Sequence, residues 1–341
     1  MTAVRWGTVT LTNDPTPLLL AFAAHHLRQG AAEVNLCLDI PNPEFTALAV
    51  RQPRIRVWTC DGAFWKTANG GVRPEDVRAR QICVAQHVFR HTGCDWLAHI
   101  DSDEYMVRVK QITRFLASRP PEVLAVSLPN AERVEWRGVA PRQVLGGLFR
   151  KPFAHGEEAR AATIYGETAA AWLHRGFSGY AEGKSFYRVG APIAPGLHQP
   201  LPRQDWVNNP ARQVFSRIGL LHFDSYTQAH WRRKLWARVV KGVMQEKGNP
   251  GRRRQIGDAH DRRNDPAGLA ALHAATRTLT SGQLLRLGLA RKILPLRFDI
   301  RPALAAIWPD LEIDLSRQAI DRALGTGPQT EPQTQRKTGP A

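Results

Sequence analysis

Thiols are scarce in this sequence of 341 residues. It holds only four cysteines, Cys37, Cys60, Cys83 and Cys94, and no two of them form a CxxC pair. This spacing excludes a zinc ribbon and a CxxC redox motif. Widely spaced cysteines are typical of buried thiols in a reducing compartment, and we expect that role for all four.

Long apolar runs are also missing. No stretch approaches the roughly 20 apolar residues of a membrane-spanning helix, although 43% of the residues are hydrophobic. The opening residues MTAVRWGTVTLTNDP lack the basic and apolar regions of a secretion signal. The composition is sufficient for one large globular domain or two smaller ones. We therefore expect a cytoplasmic protein.

Acidic residues are few relative to basic ones. The 47 Lys and Arg against 30 Asp and Glu give a formal net charge of +17. Such an excess favours an anionic partner. The charge alone leaves open a nucleic acid, an acidic membrane surface and a phosphorylated small molecule.

The first 130 residues alternate between strand-like and helix-like patterns. One helix is predicted from Thr16 and Pro17 to Gly30, and a second is opened by Glu75 and Asp76 and ended by Gly93. This alternation predicts an α/β fold with a mostly parallel sheet flanked by helices. The predicted strands are Gly7 to Thr12, Glu33 to Ile40, Ile55 to Thr59, Trp96 to Ile100 and Val123 to Leu128.

Three carboxylates end one of these strands, in the segment WLAHIDSDEYMV. Asp101, Asp103 and Glu104 lie within four residues, and each close pair repels by roughly 1 to 4 kcal/mol. Ligands of open α/β sheets collect at this end of the strands. On an extended backbone Asp101 and Asp103 would share a face, and their oxygens suit Mn²⁺ or Mg²⁺. We predict a divalent metal site there, with Glu104 facing away as a loop or capping residue.

Other acidic motifs fit this segment less well. An EF-hand loop starting at Asp101 needs Gly and Glu where Met106 and Ile112 stand, which excludes it. A phosphatase of the haloacid-dehalogenase type also places a DxD after an apolar strand, but its pattern wants Thr or Val at Tyr105. That phosphatase and a plain solvated acidic turn remain alternatives.

Three segments together resemble a known family. They are TLTND at Thr10 to Asp14, the pair His25-His26 followed by Gly30, and WLAHIDSDEY at Trp96 to Tyr105. In this order they resemble nucleotide-sugar glycosyltransferases of the GT-A fold, specifically the bacterial family-2-like group. The similarity spans about residues 8 to 245, and the DxDE segment is its specific part.

The resemblance has one departure. The family often has Glu-Trp before the double histidine, where this chain has Ala21-Phe22. We expect His25 and His26 to pack beneath the sheet or to brace a loop.

The resemblance implies a fold and an activity. The fold is a Rossmann-like GT-A sheet in residues 1 to 225, with a nucleotide-binding half up to residue 130 and an acceptor-side half after it. A basic helical region over residues 226 to 324 and a disordered tail over 325 to 341 would follow. The implied activity is metal-dependent transfer, with inversion, of a sugar from a nucleoside diphosphate donor to a glycan or lipid-linked acceptor in envelope polysaccharide synthesis.

The same resemblance implies roles for further residues. His222 is the expected third metal ligand, with His198 as its competitor. Lys184 would contact the diphosphate unless it is a solvated surface lysine. The candidates for contact with the nucleotide are Asp14, Asp39, Arg80 and Gln81, and those for the catalytic base are Glu182 first, then Glu157, Glu158, Glu167 and Asp224.

A basic segment follows the late histidine. Trp231 to Arg254 holds nine Lys or Arg against one Glu, which keeps a nucleic-acid-binding protein as an alternative. No nucleic-acid motif accompanies it, so we expect no specific nucleic acid. We predict instead that a helix from Thr227 docks on an anionic membrane surface. Binding of the donor diphosphate and simple solvation are the alternatives for its cations, Arg232, Arg233, Lys234 and Arg238.

Overall fold

The computed structural model describes residues 4–139, 142–201, 212–240 and 249–326. Its strands are β1 (Trp6–Thr12), β2 (Glu33–Leu38), β3 (Ile55–Thr59), β4 (Trp96–His99), β5 (Glu104–Met106), β6 (Ala125–Leu128), β7 (Asn130–Trp136), β8 (Leu148–Arg150), β9 (Lys184–Arg188), β10 (Arg212–Val214), β11 (Leu220–His222) and β12 (Thr278–Leu279).

Helices flank these strands along the chain. They are α1 (Thr16–Arg28), α2 (Pro43–Ala49), α3 (Gly62–Asn69), α4 (Val77–His91), α5 (Val109–Ala117), α6 (Glu158–Tyr165), α7 (Glu167–Ala171), α8 (Gln228–Val240), α9 (Pro250–Asp261), α10 (Pro266–Arg277), α11 (Ser281–Leu289), α12 (Arg301–Ile307) and α13 (Arg317–Ala323).

The main sheet has seven strands in the order β10-β6-β9-β4-β1-β2-β3. Strand β1 pairs in parallel with β2 and β4, and β2 with β3. Strand β9 alone among them runs antiparallel, to both β4 and β6. The predicted α/β fold with a mainly parallel sheet flanked by helices is confirmed. Strand β4, which precedes the three carboxylates, lies in the middle of this sheet.

A second sheet forms beside the acidic segment. Its order is β12-β7-β11-β5, and β8 pairs with β7. Strand β11 runs antiparallel to β5 and places His222 opposite Glu104. The register therefore brings the late histidine next to the acidic segment, although 118 positions separate His222 from Glu104 in the sequence.

The helix boundaries follow from local chemistry. The Asp76 side chain accepts hydrogen bonds from the backbone N–H groups of Arg78 and Ala79 and so caps α4. Helix α1 has Pro17 in its first turn and is buried over most of its length. The indole of Trp308 donates a 3.2 Å hydrogen bond to the carbonyl of Leu20. The C-terminal helices thus cover α1 and share its hydrophobic core.

The stretch from about residue 130 to 220, where the sequence predicts a loop-rich region without a long periodic segment, holds six regular elements before β11: β7, β8, α6, α7, β9 and β10. Strand β9 escapes prediction because its sequence, KSFYR, is short and surrounded by glycines. Helix α9 lies within the region predicted to be helical, although its own sequence, PGRRRQIGDAHD, shows little apolar period. Residues 327–341 of the predicted tail lie outside the described part of the chain.

The structure also bears on the expected lack of membrane-spanning helices and on the expected burial of the cysteines. Within the described residues, no helix is long and apolar enough to cross a membrane. All four cysteines are free thiols; Cys37, Cys60 and Cys94 are buried, and Cys83 is half-buried.

Candidate active site

The carboxylates after β4 lie in a tight turn. The backbone N–H of Glu104 donates a 3.0 Å hydrogen bond to the carbonyl of Asp101, which closes the turn across Ser102. The expectation that Asp101 and Asp103 share one face of an extended strand is therefore wrong, because the chain reverses before β5 begins. Glu104 turns inward, and its Oε2 accepts a 2.9 Å hydrogen bond from the backbone N–H of Asp101. Glu104 thus caps the turn through its side chain. Burial raises the pKa of its carboxyl to about 7.

A buried lysine neutralises the first aspartate. Lys184 Nζ, at the start of β9, lies 2.8 Å from Asp101 Oδ2. Gln81 Nε2 of α4 donates a 2.8 Å hydrogen bond to Asp101 Oδ1. Burial tends to raise the pKa of Asp101, but the charge of Lys184 outweighs it and holds that pKa well below its usual range. Asp101 is therefore a carboxylate with both oxygens engaged.

Asp103 has a cation on one side and a histidine on the other. Lys234 Nζ of α8 lies 3.1 Å from Asp103 Oδ2, and His222 Nε2 of β11 lies 3.8 Å from Asp103 Oδ1. Burial opposes ionisation here too, but Lys234 and then His222 lower the pKa of Asp103 below its usual value. Lysines thus supply the positive charge that the acidic turn requires.

The turn opens on a cleft of about 930 Å³. This volume lies in the range of pockets that hold small molecules or cofactors. The β1, β2 and β4 ends form one wall, and the segment after β11 together with α8 forms the other. Its charged lining comprises Asp14, Asp101, Asp103 and Asp224 together with Arg78, Lys184, Arg233, Lys234, Arg238 and Arg252.

Two of the four residues predicted to contact a nucleotide line this cleft, namely Asp14 and Gln81. Ser102 Oγ donates a 2.6 Å hydrogen bond to Asp14 Oδ2, and burial raises the pKa of Asp14. The other two pair with each other: Arg80 lies 3.2 Å from Asp39, which also binds Arg73 at 2.7 Å. This pair lies next to the cleft and is not part of its lining.

The residue chosen first as catalytic base lies elsewhere. Glu182 is outside the cleft lining, its side chain is 41% exposed, and it pairs with Arg175 at 3.4 Å. Among the alternatives, Glu157 binds Lys292 and Arg160 far along the chain from the turn. Glu158 and Glu167 also lie outside the cleft lining.

Asp224 is the one candidate base that lines the cleft. Its two oxygens accept hydrogen bonds of 2.8 and 2.9 Å from Arg252 NH2, and Arg277 also binds Oδ2. A carboxylate held by two guanidinium groups is stabilised in its charged form, and it is a poor proton acceptor. Asp224 anchors the segment between His222 and α8.

His198 faces the cleft from the loop after β9. Its Nδ1 is 2.7 Å from the carbonyl of Gly183, and its ring lies 4.4 Å from that of Tyr180. Burial and the charge of Lys184 lower its pKa to about 4. His198 is therefore neutral at pH 7 and lies on the Lys184 side of the turn, whereas His222 contacts Asp103.

Helix α8 presents most of its positive charge to the cleft. Arg233, Lys234 and Arg238 line it, whereas Arg232 is exposed outside it. Trp231 and Leu235 point into the core on the opposite face. The predicted membrane face would need the four cations together on an outer surface, so the arrangement favours the alternative in which the cations bind an anion in the cleft. In the sequence, the four-residue spacing of Lys234 and Arg238 already indicates that these two cations share one face of the helix.

A divalent ion needs several oxygen or nitrogen ligands around one point. Within the described residues, no three His, Cys, Asp or Glu side chains are grouped to hold a metal by themselves. Asp103 and His222 nevertheless offer one carboxylate oxygen and one imidazole nitrogen 3.8 Å apart. A Mg²⁺ or Mn²⁺ site with one or two protein ligands is usually completed by water and substrate phosphates. Asp103 and His222 therefore fit a metal site whose remaining ligands are water and substrate phosphates.

Comparisons with known proteins give partial structural similarity only. No family model and no curated protein matches the chain. One similar solved structure is glucosyl-3-phosphoglycerate synthase from Mycobacterium tuberculosis in complex with Mn²⁺, UDP-glucose and phosphoglyceric acid (12% identity, 57% of this chain, 61% of that chain, TM-score 0.30). Others are S. aureus TarS 1-349 in complex with UDP (12%, 76%, 73%, 0.33) and mannosyl-3-phosphoglycerate synthase from Rubrobacter xylanophilus (10%, 54%, 54%, 0.29).

The extent of these matches is limited. The chain spans about three fifths of the length of the M. tuberculosis synthase. All three TM-scores are low, so the structural similarity is partial and gives no information on the function of this chain.

Proposed function

We propose that this chain is a metal-dependent glycosyltransferase that moves a sugar from a nucleoside diphosphate donor to an acceptor hydroxyl. The observation that carries the proposal is the acidic turn at the end of the central strand β4, where Asp101 and Asp103 each face the cleft and each bind a lysine. A site that holds two anions and two cations suits a substrate that brings both a metal ion and a diphosphate.

The metal would bind at Asp103 and His222. Their Oδ1 and Nε2 atoms, 3.8 Å apart, would hold Mn²⁺ or Mg²⁺ together with the donor phosphates. When bound, the ion supplies Lewis-acid stabilisation of the diphosphate leaving group. Asp101 is already bound by Lys184 and Gln81, so we assign it to holding the Lys184 ammonium in the cleft rather than to direct coordination.

The cations of the cleft would bind the diphosphate. Lys184 is buried beside the turn, and Lys234 and Arg233 line the cleft from α8. Fixed positive groups in a partly desolvated site stabilise the charge that develops on the leaving group. Asp14 and Gln81, on the opposite wall, are placed to contact the nucleoside.

Further proposals concern the acceptor, the stereochemistry of transfer and the catalytic base. The rings of Tyr180 and His198 lie 4.4 Å apart and are tilted by 36°, and the face of either ring offers a surface suited to stacking against a sugar ring. In keeping with the resemblance of the acidic segment, we propose inversion at the anomeric carbon, a glycan or lipid-linked acceptor and a role in envelope polysaccharide synthesis on the cytoplasmic side of the membrane. Asp101, Asp103 and Asp224, three of the four carboxylates that line the cleft, are each held by a cation and are unsuited to act as the base.

A screen of nucleotide sugars tests this function. Purified protein is incubated with each common UDP-, GDP- and TDP-sugar, with Mn²⁺ or with chelator, and release of the nucleoside diphosphate is followed. We expect Mn²⁺-dependent hydrolysis of at least one donor and its loss in Asp103→Ala. Glu182→Ala serves as the matched control, because it removes a carboxylate outside the cleft. Absence of donor hydrolysis and of nucleotide binding by the folded wild type would refute the proposal.

A further inference from the structure

The face of α11 that points away from the core is unusually apolar. Leu285 and Leu289 are 65% and 77% exposed, and one helical turn separates them. Leu287, on the opposite side, is fully buried and fixes the helix in place. Two large leucines on successive turns therefore project outward, and they stay exposed among the residues that the structure describes.

Cations surround these leucines, and acids are missing from their own segment. Residues 266 to 298 contain no Asp or Glu, and they hold Arg286, Arg291 and Arg297 with exposed side chains. Arg286 lies between the two leucines and donates a 3.2 Å hydrogen bond to the carbonyl of Thr163. Glu157, the N-cap of the neighbouring helix α6, is bound by Lys292 and Arg160, and Glu158 and Glu167 are the exposed acids of α6 and α7. The segment that carries the leucines is itself purely cationic.

An aromatic residue marks the N-terminal end of the same stripe. Ser281, Leu285 and Leu289 follow at intervals of four residues and share one face of the helix. Trp136 Nε1 donates a 3.3 Å hydrogen bond to Ser281 Oγ, and the indole is half-buried. Tryptophan with one apolar body and one polar tip is typical of the boundary between water and lipid.

We propose that this surface, composed of Trp136, Leu285, Arg286, Leu289 and Arg291, docks on an anionic lipid bilayer. The leucines would enter the acyl boundary, and the arginines would contact the acidic headgroups, as in interfacial helices. A second copy of the chain is a poorer occupant, because two leucines expose far less than the ~800 Å² per partner of a stable dimer. The inference does not depend on the activity proposed for the cleft.

Co-sedimentation with vesicles tests the proposal. Vesicles of phosphatidylcholine alone and of phosphatidylcholine with phosphatidylglycerol are mixed with the full chain. We expect binding to the anionic vesicles, with the partition coefficient reduced at least about tenfold in Leu285→Asp/Leu289→Asp and more moderately in Arg286→Gln/Arg291→Gln. Circular dichroism melts should match the wild type, since the substituted side chains are exposed.

A matched control replaces two valines whose fractional exposures equal those of the two leucines. Val50 and Val72 are 77% and 65% exposed on another part of the surface, so Val50→Asp/Val72→Asp should bind anionic vesicles as the wild type does. The proposal is overturned if the wild type ignores anionic vesicles, or if the control loses binding as strongly as the leucine variant. It is also overturned if Leu285→Asp/Leu289→Asp keeps vesicle binding but dissolves a dimer in sedimentation velocity.

Discussion

Lys184 Nζ lies 2.8 Å from Asp101 Oδ2, and the lysine side chain is only 3% exposed. A buried ammonium is costly unless a carboxylate faces it, so Asp101 offsets the cost of burying Lys184 at the start of β9. The same contact keeps a positive charge in the cleft at neutral pH. It connects the stability of the fold to the chemistry proposed for the site.

The first prediction removes this ammonium. Lys184→Met keeps the volume of the side chain but leaves Asp101 without its cation. Because Asp101 is about one-third exposed, we expect a loss of about 2 kcal/mol in the free energy of unfolding, below the range for fully buried pairs. Urea unfolding measures it. Arg51→Met breaks the exposed pair with Asp310 and should cost under about 1 kcal/mol; equal losses in the two variants would contradict the argument.

The second prediction separates the two histidines of the cleft. His222 Nε2 is 3.8 Å from Asp103, whereas His198 contacts the carbonyl of Gly183 and the ring of Tyr180. His222→Ala should therefore weaken Mn²⁺ binding in the presence of UDP by roughly 10- to 100-fold, and His198→Ala should leave it within about threefold. Titration calorimetry gives both affinities. The reverse order would transfer the metal site to His198.

The sequence was most informative where local chemistry decides the structure. Three features act only on residues close to themselves: the helix cap Asp76, Pro17 in a first turn, and the apolar strand before Asp101. The partners of the site come from distant elements: Lys184 from a central antiparallel strand and Lys234 from α8. Local patterns do not encode such pairings. Lys184 was identified for its charge, but its partner was not.

The lining of the cleft shows the same limit. Arg233 and Arg232 are exposed neighbours of the same charge, and only the direction in which α8 packs places Arg233 along the cleft. Glu182 looked equivalent to other acids in the sequence, yet its loop directs it toward Arg175 and away from the cleft. Helix packing and loop conformation, which depend on the whole core, decided both outcomes.

The third prediction uses that pair of neighbours on α8. Arg233→Glu places a negative charge in the cleft, so we expect the KM for the nucleotide-sugar donor to rise at least about tenfold through repulsion of the diphosphate. Arg232→Glu, one residue away and outside the lining, should change KM by less than about twofold. Steady-state kinetics at fixed Mn²⁺ compares them. Equal effects would mean that long-range charge, not contact with the donor, is responsible.

The fourth prediction concerns stability in acid. His25 is buried, its Nε2 lies 2.7 Å from the carbonyl of Met106, and burial lowers its pKa to about 4 from the ordinary 6.5. The unfolded chain therefore binds a proton at a higher pH than the folded chain does. The stability that neutral His25 contributes is fully present above pH 6.5 and is lost as the pH falls toward 4, by roughly 3 kcal/mol in total.

Replacing the histidine isolates this effect. His25→Gln keeps a donor for the Met106 carbonyl but cannot titrate, so the free energy of unfolding should fall less steeply between pH 6.5 and 4, by up to about 1.4 kcal/mol per pH unit. His260→Gln is the matched control, because it makes the same substitution at a side chain that is 48% exposed. Urea unfolding at half-unit pH steps gives the slopes. If His25→Gln and the wild type lose stability in parallel, the acid sensitivity arises from other groups, since the two chains then differ by no proton in this range.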